Sequence, residues 1–162
     1  MKLARLVPML FGGYQTRTYY LNASATTTGE WISNGHWLVR LDCTNLKSES
    51  DPKFQRFVAS TRWGSARHEN GYRLDMIRTL PRVREQLKEW LVTEETAPNT
   101  QYGGLIRRLV SDQGNAALND LYLHGLGFRP GDTLLSSDWD RIFVDAMYPE
   151  TTRGIMPMRG PW

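Results

Sequence analysis

The sequence predicts an α+β fold built around antiparallel sheet. Three observations lead there. Apolar stripes at helical spacing recur in separate stretches, runs of β-branched and aromatic residues stand apart from them, and the two never alternate as βαβ units. The 162 residues suit one domain, and a hydrophobic fraction of 40% with a charged fraction of 23% excludes a disordered chain.

The elements follow in order. Lys2 to Phe11 sets Leu3, Leu6, Val7 and Leu10 three and four apart, an apolar helical face stopped by Gly12-Gly13. Thr16 to Ala23 is rich in β-branched and aromatic residues. Thr26 to Asp42 reads as a hairpin, with Trp31 and Ile32 before Asn34-Gly35, and Trp37, Val39 and Leu41 alternating with polar residues after it. Asn-Gly tolerates the positive φ angles of a type I′ turn. Lys53 to Arg78 mixes arginines with aromatics and has no clear periodicity. The clearest helix follows: Leu80, Val83, Leu87, Trp90 and Leu91 share one stripe, with Pro81 in the first turn. Thr93 to Gly104 reads as a loop and Leu105 to Val110 as a strand or short helix. Asn115 to Phe128 carries Leu118, Leu121, Tyr122 and Leu126 on a helical face, ahead of the turn Pro130-Gly131-Asp132. Three strand-like runs close the chain: Thr133 to Ser136, Arg141 to Ala146 and Arg153 to Met158.

The net charge is only +3, with 16 Arg and 4 Lys, at a pI of about 9.2. Guanidinium groups pair with carboxylates, phosphates and aromatic faces, which suits an acidic partner, although a biased base composition gives the same pattern. Cys43 is the single cysteine. A disulfide framework and a thiolate metal cluster are thereby excluded, in keeping with a reducing cytoplasm. Arg5 and Pro8 interrupt the apolar run at the start, and no stretch reaches the roughly 18 apolar residues that span a bilayer. A cytoplasmic protein without membrane association is expected. His36, His68 and His124 lack metal-site spacing, no nucleophile elbow is present, and Gly103-Gly104 and Gly125-Leu126-Gly127 lack the rest of a phosphate-binding fingerprint. The chain is expected to be no enzyme and to need no cofactor or metal.

Two short segments point to a family. Ser33-Asn34-Gly35-His36-Trp37-Leu38 resembles the Thr-Asp-Gly-His-Arg-Leu segment of bacterial β sliding clamps, and Gly154-Ile155-Met156-Pro157-Met158-Arg159 resembles the Met-Pro-Met-Arg with which those clamps end. Asn119-Asp120-Leu121-Tyr122-Leu123 is similar to the start of their last helix. The resemblance implies a single, divergent DNA-clamp-like domain over residues 1–162, with an antiparallel sheet and two helices. An Arg-rich helical segment from about 44 to 110 has no counterpart and reads as an insertion or a diverged middle.

In that family both motifs line a pocket for short linear peptides of protein partners. The resemblance therefore implies a peptide site at Gly35, His36, Trp37, Leu38, Met156, Pro157, Met158 and Arg159, with Trp37 standing where clamps carry Arg. A clamp subunit has three such domains and this chain has room for one, so a ring requires a homo-oligomer and the motifs would meet head to tail. DNA is the second implied partner, held through Lys2 and Arg5. Most cations lie instead at Arg56, Arg62, Arg67, Arg73, Arg78, Arg82, Arg84 and Lys88, a nucleic-acid surface or a protein interface. The sequence thus yields a non-catalytic replication accessory of clamp type. The alternative is a small adaptor or inhibitor, a phage-type decoy that docks on a larger protein through the Arg and aromatic segment.

Overall fold

Strands dominate the residues that the computed structural model describes, which are 18–22, 30–33, 36–40, 63–64, 86–101, 103–145 and 152–162. The chain divides into two units, Met1–Thr79 and Leu80–Trp162.

In the first unit β1 (Thr18–Asn22), β2 (Glu30–Ser33), β3 (Trp37–Arg40) and β4 (Trp63–Gly64) lie in the order β4-β1-β2-β3. β1 pairs antiparallel with β2 and parallel with β4. β2 and β3 pair antiparallel with Ser33 opposite Leu38, as in the hairpin that the sequence suggests. Asn34-Gly35 itself lies outside the described residues, as does the helix expected over Lys2 to Phe11. Trp37, Leu38 and Val39 are all fully buried. β3 is therefore covered on both faces, not alternating as its sequence suggests.

The second unit holds β5 (Lys88–Pro98), β6 (Leu105–Ser111), β7 (Gly114–Asn119), α1 (Asp120–Gly125), β8 (Thr133–Ser136), β9 (Phe143–Asp145) and β10 (Arg153–Ile155). Its strands run β10-β9-β8-β5-β6-β7, and every neighbouring pair is antiparallel. Register puts Trp90 opposite Leu134, Val92 opposite Leu109 and Ile155 opposite Phe143, all buried. The rings of Trp90 and Phe143 meet edge to face at 5.4 Å, and Trp90 Nε1 donates to the Ser136 carbonyl at 3.3 Å. Burial of these side chains is the main stabilising term for the sheet.

This sheet is curled. Laid flat, its six strands would separate β10 from β7 by roughly 24 Å. Yet Met158, three residues past β10 and so within about 11 Å of its end, forms an antiparallel bridge with Ala117 in the middle of β7. The Met158 N–H donates to the Ala117 carbonyl at 2.8 Å.

The α+β expectation, with two helices and an inserted helical segment in a clamp-like domain, is corrected by this architecture. The described residues are mostly antiparallel sheet with one short helix. From Lys88 onward the expected helix is a strand. Leu87, Trp90 and Leu91 fit a helical stripe, but Trp90 and Val92 are each 1% exposed while Leu91 between them is 45% exposed. That is a period of two, favoured by β-branched Val92, Thr93 and Thr96 and fixed by partners on both edges of β5. Of the loop expected over Thr93 to Gly104, the part to Pro98 is the rest of the same strand, with a register irregularity between Val92 and Thr96, and the described residues from Asn99 to Gly104 are the connection to β6. The helix expected over Asn115 to Phe128 is strand to Asn119 and helix only from Asp120 to Gly125.

α1 begins where Asn119 Oδ1 accepts the Tyr122 N–H at 3.2 Å, a side-chain cap for a free helical donor. Arg107 Nε meets Asp120 at 2.5 Å, tying β6 to the first turn. The other end is held by Arg153, which donates to the Leu126 carbonyl at 2.7 Å and stacks 4.1 Å above the Phe128 ring. The expected turn follows: Gly131 has φ +94°, and its N–H donates to the Val92 carbonyl. Among the described residues no helix is long and apolar enough to cross a membrane.

Candidate functional site

The segment after β10 builds one wall of a groove. Met158 is fixed by its bridge to Ala117 and by a contact of 3.7 Å from Asn99 Nδ2 to its sulfur. The chain then crosses the sheet at Gly160, where a Cβ would stand 2.8 Å from Ala117 Cβ and 3.2 Å from Ile106 Cδ1. Only glycine allows this approach. The crossing leaves a cavity of 430 Å³ between the segment, the start of β7 and the β8–β9 hairpin tip, within the usual size for a ligand site.

It is lined by Gln113, Asn115, Ala116 and Ala117 from the β6–β7 turn and β7, by Trp139 from the β8–β9 connection, and by Met158, Arg159, Gly160 and Trp162 from the segment after β10. Trp139 is 48% exposed although large and apolar. It stands in the hairpin tip, where its N–H donates to the Asp138 carboxylate at 2.7 Å. Gln113 occupies the two-residue turn between β6 and β7, steadied by Ser111 Oγ and bonded by Lys88 Nζ. Arg159 is exposed and has neither a hydrogen bond nor an ion pair among the described residues.

β7 is the last strand in the order of this unit, and its backbone contributes to the groove. The Ala117 carbonyl points away from β6, toward Met158. Main-chain groups of an antiparallel strand alternate sides, so the N–H and C=O of Asn115, two residues earlier, point the same way. No backbone partner meets them among the described residues.

The sequence-predicted site residues fall in both units. His36 is exposed, Trp37 and Leu38 are fully buried, and Gly35 lies outside the described residues. Met156 and Pro157 link β10 to the groove, and Met158 and Arg159 line it. Of the predicted cations only Lys88 is described, and it is bonded to Gln113. Lys2, Arg5, Arg56, Arg62, Arg67, Arg73, Arg78, Arg82 and Arg84 lie outside the described residues. Sequence reasoning missed Trp139, Trp162, Gln113 and Asn115. Only Trp139 carried a signal, as a large aromatic between two aspartates, Asp138 and Asp140, in the stretch that separates two strand-like runs.

Among the described residues no group of three or more His, Cys, Asp or Glu is placed to hold a metal ion. No protein-family model matches the chain, and neither the curated proteins nor the solved structures give a match. The likeness to sliding clamps rests on the short motifs alone.

Proposed function

We propose that the chain is a non-catalytic binding module that captures an extended peptide segment of a protein partner in the groove beside β7. One observation carries this reading: the outward main-chain groups of Asn115 lie next to two tryptophans and a methionine. An extended peptide can pair with the strand edge while its large apolar side chains settle against Trp139, Trp162 and Met158, the combination used in strand-addition recognition. In this reading Met158 and Arg159, the last two residues of the Met156 to Arg159 motif, contact the peptide, and both line the cavity. The adaptor reading is preferred to the clamp role, which wants cations on its helices, whereas α1 is six residues long, begins with Asp120 and carries no Lys or Arg. The adaptor reading does not need such a helix.

The test is a titration of the full chain with a labelled short peptide rich in phenylalanine and leucine, followed by fluorescence anisotropy and by tryptophan emission. Saturable binding that Trp139→Ala weakens at least several-fold, with an unchanged circular dichroism spectrum, is the expected result. Binding that is absent, or indifferent to Trp139→Ala and to Asn115→Pro alike, overturns it.

A further inference from the structure

The groove carries one charged side chain. Arg159 is exposed and uncommitted beside Trp139, Trp162 and Met158, whereas the other polar lining groups are the neutral Gln113 and Asn115. Neighbouring arginines are occupied: Arg107 by Asp120 and the Thr93 carbonyl, Arg108 by Glu95 and Asn115, and Arg153 by Asp145 and the Leu126 carbonyl. Among the described residues no Asp or Glu side chain lines the cavity. A cation without a partner, set among large apolar surfaces, favours an anion attached to an apolar anchor.

Resting on the reading of the groove as a peptide site, we infer that its ligand is an acidic-aromatic peptide: an aspartate or glutamate that meets Arg159, two positions from an aromatic or large aliphatic residue that packs on the tryptophans. The spacing follows from extended backbone, in which side chains two apart project to the same face and can enter one groove together. Single-stranded nucleic acid shares the chemistry of anion plus flat ring. Two observations favour the peptide. The outward N–H and C=O of Asn115 match a peptide main chain, and a nucleic-acid track needs a row of cations where the groove holds one.

The experiment compares three probes on the full chain at low ionic strength: a peptide with phenylalanine and aspartate two apart, the same peptide with asparagine for aspartate, and oligothymidylate. The expected result is that the aspartate peptide binds about fivefold more tightly than its asparagine isostere, a gap that shrinks with added salt. Arg159→Gln removes that gap and Arg159→Glu reverses it, both read as the ratio of the two peptides' affinities for the same variant. Equal binding of the two peptides overturns the acidic preference and leaves the peptide site standing. Failure of both peptides to bind overturns the peptide site itself. Oligothymidylate binding that Arg159→Glu abolishes, with neither peptide bound, assigns the groove to single-stranded nucleic acid instead.

Discussion

At Gly160 the neighbouring Ala117 leaves room for a hydrogen and nothing more. A methyl group there would meet Ala117 Cβ at 2.8 Å, on a side chain that cannot swing away, with Trp162 Cε3 at 3.2 Å on the other side. Gly160→Ala is therefore expected to lift the segment from β7. The cost is about 1–3 kcal/mol of stability in urea unfolding, with faster amide exchange at Met158 and weaker peptide binding; an unchanged Met158 amide would contradict the packing. Asn119 makes a separate contribution. Asn119→Ala removes the cap on Tyr122 N–H and is expected to cost about 1 kcal/mol, most of which Asn119→Ser restores in the same unfolding measurement. The sequence showed little of this scale. The Met156 to Arg159 stretch was readable because it resembles a motif, while Trp139 and Trp162 stand alone, with no periodic neighbours to mark a shared surface.

Elements were easier to read where turn chemistry or a short β-branched run marked them. The pairing of β2 with β3 and the strands at Thr133–Ser136, Phe143–Asp145 and Arg153–Ile155 all lie within stretches read as extended. β5 was misread because Leu87, Trp90 and Leu91 fit the helical period, while the period of two shows only in the burial of Trp90 and Val92 around exposed Leu91 and is set by β6 and β8, partners distant in sequence. The connection from β9 to β10 illustrates what local pattern cannot reveal. Asp145 is 3% exposed and accepts from the Thr152 N–H at 3.0 Å and from the Thr152 hydroxyl, with Arg153 Nε at 3.8 Å. Asp145→Ala leaves these donors stranded and is expected to cost about 2–3 kcal/mol. Asp145→Asn, which still accepts from the Thr152 N–H, is expected to cost less; equal losses in thermal unfolding would count against this account.

For the molecule as a whole the fold class was the main error, because strand was under-called: β5 and most of β7 lie on stretches read as helix or loop. Helical stripes of four or five residues were promoted to helices, because nothing in a single sequence reveals that neighbouring strands will claim them. Hydrogen exchange should display the resulting hierarchy. Trp90 and Val92, central in the second unit, are expected among the slowest amides, and Met158, held by one bridge at the rim, among the fastest of the hydrogen-bonded ones. Comparable protection at both places would contradict it.

A receptor that offers a strand edge also offers a template, and a long bare edge recruits other chains without limit. The bridge at Ala117 shortens what β7 presents to the few residues around Asn115. So short an edge holds a visitor that brings its own side-chain anchors and gives no foothold to one that brings only backbone. The segment after β10 thereby leaves little of β7 bare for edge-to-edge pairing.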